Sequence, residues 1–428
     1  MKRILRLVAA SLLLVAAGAA AQQQPAYTMA EYNAYQAAAN EKVAQQRIKL
    51  LDEFVEKFPQ STLLPYAYDL YYRTYNELRN YPKVVEYADK VLALGDKIEI
   101  TARLQAISTR TLAFQFAYNE RDPNAREQAT KGLAAAREGI KLIGELAKPE
   151  NVTPEQFEQG KKQALAFFHH AAGFAALSLK DHSTAIAEFG KAIENNSSDP
   201  VTYFRIGVAY LSKEPAQHLD GFWSLARSVA LKGPGEAQVR DYLRRQLQAY
   251  QRIACETERE KQFNQLLTLA AGTPNRPPDY RIPNAEDIRS AANAAENFVA
   301  ALRGGGEHGQ LVWLASCGSE FPEFGVKVIE VASGNDSVIL RVFGGGTPEE
   351  IEAATTANME FKVEGQPEAR RVQKDDFVRI AGTLTDYSPD PFLLHWTKGR
   401  VNPEDIPEEQ AAPGKRPGKR PGKRPPRR

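Results

Sequence analysis

A recurrence of 34 residues limits what this chain can fold into. Gly173 and Gly207 stand 34 positions apart, as do Ala176 and Tyr210, Phe189 and Trp223, and Ala192 and Ala226. In the first of these units, "GFAALSLKDHSTAIAEFGKAI", Ala185, Phe189 and Ala192 fall at i, i+4 and i+7, on one face of a helix. The small residue at 173 lets one helix approach its partner, and the aromatic fills the gap between units. A unit of this kind cannot bury its apolar face alone, so stacked neighbours must cover it.

The surrounding text fits the same plan. From Thr28 to Ala271 the chain reads as helix, turn, helix, with breaks at Phe58-Pro59, Asn80-Tyr81-Pro82, Asp122-Pro123, Lys148-Pro149, Asp199-Pro200 and Gly233-Pro234-Gly235. "TMAE" at Thr28 to Glu31 has the spacing of a capping box. "PYAYDLYYRTYNELRNYPKVVEYADKVLAL" repeats the layout upstream, with Tyr72 and Tyr75 on its first helix and Val84, Ala88 and Val91 on its second. Residues 98–147 predict two long helices, with Gly132, Gly139 and Gly144 as close packing points. Residues 236–271 read as closing helices with a polar outer face, as the end of a solenoid requires.

A 34-residue helix–turn–helix unit resembles the tetratricopeptide repeat (TPR), and the "FP-S" junction at 58–61 is similar to those of TPR proteins in bacterial envelopes. The resemblance implies a concave face, lined by the first helix of each unit, that binds a peptide or helix. It places Tyr66, Asp69, Arg73 and Asn76 on that face, and their i, i+3, i+7, i+10 spacing does form one stripe. The same positions further on are Phe167, His170, Phe174 and Leu177, then Phe204, Val208 and Leu211. Seven tyrosines lie between Tyr66 and Tyr87, a residue type that offers large amphipathic contact area.

After 271 the pattern changes. "GTPNRPPDYRIP" (272–283) reads as a semi-rigid linker, and one helix is expected from Ala285 to Arg303, ended by three glycines. Five strand-like runs follow: "GVKVIEV", "SVILRVF", "MEFKVE", "DFVRIAGTLTDY" and "PFLLHW", with "TPEEIEAA" as a short capped helix. Asp376, Val378, Ile380 and Gly382, then Gly399 and Val401, resemble the closing strands of OB-fold-like domains of bacterial exported proteins. OB folds bind oligonucleotides on one strand face through aromatic and basic residues. The residues of that type here are Arg341, Phe361, Arg379 and Trp396, with Phe343, Tyr387 and His395. Glu330, Glu360, Glu364, Asp375 and Asp376 interleave with them, so a protein-contact or structural role is expected ahead of nucleic-acid binding.

The ends set the compartment. Lys2, Arg3 and Arg6, the apolar run Leu7 to Ala17, and Ala19-Ala20-Ala21 before Gln22 form a secretory signal peptide pattern. The run is shorter than the roughly 20 residues of a membrane span. The other end, "PGKRPGKRPGKRPPRR", carries eight positive charges and has no apolar residue with which to build a core. The chain has 55 basic and 53 acidic residues; setting aside three basic residues of the leader and eight of the tail leaves 44 against 53. An acidic body with a basic tail does not support bulk nucleic-acid binding. The two cysteines, Cys255 and Cys317, form an even pair that an oxidising compartment allows to join; two separate buried thiols are the alternative.

No nucleophile elbow, metal-ligand helix pair or Cys/His dyad stands out, and the glycine runs "RGGGEHG" and "FGGGTPEE" lack a phosphate-loop ending. His169 and His170 are adjacent, and neighbouring helix positions point about 100° apart, which does not suit a shared metal. The expectation is a mainly α fold: a leader (1–21), a TPR-type α–α superhelix (22–271), a Pro-rich linker with a connecting helix (272–322), a small five-stranded OB-like barrel (323–407) and a disordered basic tail (408–428). The expected role is a non-enzymatic, cofactor-free scaffold of the cell envelope, exported to the periplasm or beyond, that recognises a protein segment. Two alternatives are an adaptor attached to anionic envelope polymer or lipid through Lys415–Arg428, and an OB-type binder of single-stranded nucleic acid.

Overall fold

The computed structural model describes residues 27–95, 98–295, 297–334 and 336–408; the leader expected from the sequence, and the expected basic tail from residue 409, lie outside the described residues. Sixteen helices are described, fifteen of them before a five-stranded closed barrel and one within it. Two compact units divide the described chain. One runs to Gln246 and includes Gln265–Arg281; the other holds Leu247–Asn264 and everything from Ile282 onward.

In the first unit, α1 (Met29–Asn40), α2 (Ala44–Lys57), α3 (Leu64–Glu77), α4 (Tyr81–Leu92), α5 (Ile100–Ala117), α6 (Ala125–Glu145), α7 (Pro154–Ser178), α8 (His182–Asn195), α9 (Pro200–Ser212) and α10 (His218–Ala230) each pack on their neighbours in the chain. Helix starts are fixed locally. Thr28 and Thr153 form capping boxes with Glu31 and Gln156, and Asp199 caps α9 with Pro200 in its first turn. Two hairpin turns are built alike. Arg79 and Lys180 both adopt the left-handed conformation (φ 56° and 61°). Asn80 and Asp181 follow them, each donating its N–H five residues back (to Tyr75 and Ala176, 2.9 Å) and each capping the next helix with its side chain.

Small residues set how closely helices approach. A Cβ at Gly173 would lie 2.6 Å from the Phe189 ring, and one at Gly139 would lie 2.5 Å from the Phe168 ring. Gly144 faces open space, so it is not the packing point its spacing suggested. Val84, Ala88 and Val91 are buried on α4, as are Ala185, Phe189 and Ala192 on α8. This packing brings α7 against α5 and α9 as well as against its hairpin partner, so α5, α7 and α9 form a row.

The expected linker is partly tied down. Arg276 pairs with Asp220 of α10 (2.8 Å), and the Tyr280 ring meets Trp223 edge-on (5.2 Å). Two further helices, α11 (Glu236–Gln251) and α12 (Glu256–Gly272), precede it. Ile253 and Cys255, between them, belong to the core of the second unit, where Cys255 and Cys317 are joined by a disulfide. Leu247–Asn264 thus groups with the β-rich unit, while Gln265–Arg281 groups with the helical one.

The expected single helix 285–303 is two, α13 (Ala285–Ala294) and α14 (Phe298–Gly304), and a third, α15 (Gly306–Ser316), follows it. Asn297 starts a new helix by accepting the N–H of Ala300 (3.0 Å), and Gly305 divides the last two with φ 63°. The barrel follows: β1 (Glu320–Ser333), β2 (Ser337–Phe343), the short α16 (Pro348–Ala353), β3 (Met359–Glu364), β4 (Phe377–Pro389) and β5 (Phe392–Val401). β1 pairs antiparallel with β2 and β4, β2 with β3, and β4 with β5, while the parallel pair β3–β5 closes the ring. That order, 1-2-3-5-4, makes the barrel OB-like.

The contrast between two glycines tests the packing account. Gly173→Ala adds overpacking worth about 1–3 kcal/mol, which outweighs the roughly 1 kcal/mol of helix propensity it gains. A Cβ at Gly190 on α8 would meet nothing within 4 Å, so Gly190→Ala keeps the propensity gain alone. Chemical denaturation is expected to show the first variant less stable than wild type and the second more stable.

Candidate functional site in the helical row

The row α5–α7–α9 carries a connected set of polar side chains. Gln115 comes from α5, His170 and Phe174 from α7, and Thr202 and Arg205 from α9. All but the buried Thr202 are half-buried. Arg205 Nη1 donates to Gln115 Oε1 (2.8 Å) and to His170 Nε2 (2.6 Å), and its guanidinium lies over the Phe174 ring (4.2 Å). His170 Nδ1 is 2.6 Å from Thr202 Oγ1, and Thr202 donates to Asp199 Oδ2 (2.5 Å).

The chemistry of the partners assigns the protons. An arginine can only donate, so Nε2 of His170 must accept and the ring proton sits on Nδ1. The chain of donors then runs from Arg205 through His170 and Thr202 to Asp199. Burial first, and the Arg205 charge second, hold the His170 ring well below its ordinary pKa. Burial also draws the Arg205 guanidinium down to about 10, against the opposing pull of Asp199. Arg205 remains charged at neutral pH and His170 remains neutral.

His169, one residue earlier, points to a different partner. Its Nδ1 lies 2.6 Å from Glu188 Oε2 within the protein, and that hydrogen bond holds the Glu188 carboxyl below its usual range. The adjacent rings thus serve separate contacts, and no group of three metal-ligating side chains occurs among the described residues.

Of the groove residues expected from sequence, His170 and Phe174 meet in this network, while Phe167 packs edge-on against Phe168 (5.1 Å) and stays half-buried. Leu211 fills the space above Gly221. On α3, Tyr66 is 60% exposed and sits near Tyr35 (6.4 Å), Asn76 is exposed, and Asp69 pairs with Arg73 (2.7 Å) while accepting the Tyr72 hydroxyl. The other tyrosines there build a stack: Tyr71 on Tyr87 (4.1 Å) and Tyr75 on Tyr87 (5.5 Å), with Lys90 over the Tyr87 face (4.1 Å). Burial pushes the Tyr87 hydroxyl up to about 12.

The sequence pattern did not point to Gln115, Asp199, Thr202 or Arg205 as members of a site. The available signal was the register: Arg205 stands 34 residues after Ala171, so a long cation replaces a buried alanine at the helix-to-helix contact.

Two of the four expected surface residues of the barrel are corrected. Phe361 and Trp396 are 0% and 1% exposed and stack on each other inside the barrel (5.0 Å). They are register partners on β3 and β5, and strand alternation turns Phe361 inward with Met359 and Val363. Arg341 and Arg379 do face outward, but each is held by two carboxylates: Glu330 and Glu360 for the first, Glu404 and Asp405 for the second.

Compared with protein-family models and with curated proteins, the chain matches none. The functional reading therefore rests on the residues themselves.

The proton assignment predicts an acid response. Unfolded, the His170 ring takes up a proton near pH 6.5; folded, flanked by Arg205 and Asp199, it resists until lower pH. Below about pH 6.5 the unfolded chain binds a proton that the folded one refuses, so stability falls by up to about 1.4 kcal/mol per pH unit. His170→Gln keeps an acceptor and a donor but cannot titrate. Denaturation between about pH 7.5 and about pH 5 is expected to show a shallower loss for the variant; an equal slope would exclude His170 as the source.

Proposed function

We propose that the chain is a non-enzymatic scaffold of the cell envelope that grips a protein segment along the row α5–α7–α9. The observation that carries this reading is the row itself. Three helices, the middle one touching both others, present half-buried aromatic and hydrogen-bonding side chains, including Phe167, Phe174, His170 and Arg205, in an oriented array. Pre-positioned side chains of this mixed type reduce the ordering cost of binding. The 34-residue recurrence and the repeated hairpin turn support assignment to the TPR class, whose first helices line a peptide groove. The leader composition supports export, and the paired arginines of the barrel favour a protein-contact or structural role for that unit over polyanion binding.

Site-specific photo-crosslinking in living cells tests this. A photoreactive phenylalanine analogue at Phe167, Leu177 or Val208 is expected to trap one shared partner. The same analogue at Lys191, exposed on α8, is expected to trap none. Failure at the row positions, or equal capture at Lys191, refutes the groove.

A further inference from the structure

We infer that the segment bound along this row carries a carboxylate, and that Arg205 is the residue that holds it. The inference rests on the reading of α5–α7–α9 as a protein-binding groove and names its ligand chemistry.

A guanidinium has five N–H donors. In Arg205 both hydrogens of Nη1 are used, one on Gln115 and one on His170. The opposite edge, Nε with Nη2, is the edge that meets the two oxygens of a carboxylate through parallel hydrogen bonds. Among the described residues nothing hydrogen-bonds that edge, and no carboxylate lies within ion-pair distance of Arg205. Neither nitrogen is among the fully buried, unpartnered ones of the described residues.

The nearest acid does not compensate. Asp199 Oδ1 accepts the Val201 N–H (3.1 Å) and Oδ2 accepts the Thr202 hydroxyl (2.5 Å), so both oxygens serve the start of α9. His170 is neutral in this arrangement and supplies no negative charge. The contrast with the barrel is direct, since Arg341 and Arg379 each meet two carboxylates there.

The free edge is also held still. Phe174 supports the guanidinium plane at 4.2 Å and two hydrogen bonds fix its rotation. A single oriented cation on half-buried Phe174 suits one acidic side chain or a chain terminus with apolar neighbours. It does not suit a polyanion, which needs a track of cations.

The experiment is selection from a random dodecapeptide phage library on the full chain without its leader. The selected peptide and its Glu→Gln or Asp→Asn counterpart (or its C-terminal amide, where the terminus is selected) are then measured by fluorescence anisotropy. Wild type is expected to enrich acidic peptides and to prefer the acid over the amide by about ten- to a hundredfold, the range for a charge-assisted pair. Arg205→Gln is expected to erase that preference while still binding the peptide's apolar part. Arg205→Lys, with charge but no fork, is expected to keep only part of it; it carries the test if the glutamine variant fails to fold. Selection of peptides without acids, or a preference that survives in both variants, overturns the anchor and leaves the groove standing. Selection of no peptide overturns both.

Discussion

The closeness of Phe189 to the bare backbone at Gly173 is the constraint from which the site follows. With only a hydrogen at 173, α8 can seat its aromatic ring directly on α7, and any side chain there would force the two apart. The same economy of bulk operates between Gly139 and Phe168, where α6 meets α7. Helices held this tightly leave α7 within reach of α5 on one side and α9 on the other. Only at such spacing can the short side chain of His170 touch Thr202 while Arg205 spans back to Gln115, 90 residues earlier in the chain. Packing of apolar groups therefore fixes the geometry, and the polar chain reports it.

Much of this architecture was legible in the sequence, and for a physical reason. Helix period, capping residues and the 34-residue recurrence are local or quasi-local signals, so the Thr28 capping box and the close packing points Gly173 and Gly139 could be read directly. Five strands were legible because valine and isoleucine alternate through them. What alternation does not state is which of two faces points inward. Phe361 and Trp396 have the composition of a ligand surface and the position of a core, and closure of β3 against β5 decides between them. The grouping of Leu247–Asn264 with the second unit was hidden for a similar reason: its helical text resembles that of its neighbours, and only the tertiary placement of Ile253 and Cys255 assigns it there.

The site was less legible than the fold because its members lie on three helices. His170 and Phe174 were found by family spacing along one helix. Their partners answer to contacts between helices, which no single-helix pattern encodes. The replacement of Ala171 by Arg205 one repeat later is the exception, since it sets a long cation where the preceding unit has a buried alanine. A local break in a repeat pattern is where function is to be sought.

The distribution of charge makes the same point from the energetic side. In the barrel the outward arginines sit at the surface between acids, an arrangement worth little to stability. It leaves the strand face around Arg341 without free positive charge to offer. In the helical row the balance is reversed. Arg205 is drawn partly out of water, its pKa falls to about 10, and the one nearby acid is already committed to capping α9. Burial without an ion-pair partner opposes the folded state, and a glutamine at 205 would keep a hydrogen bond at less electrostatic cost. A charge kept in such a place, with one edge pinned and the other open, is better explained by an anion that arrives than by the stability of the helices that hold it.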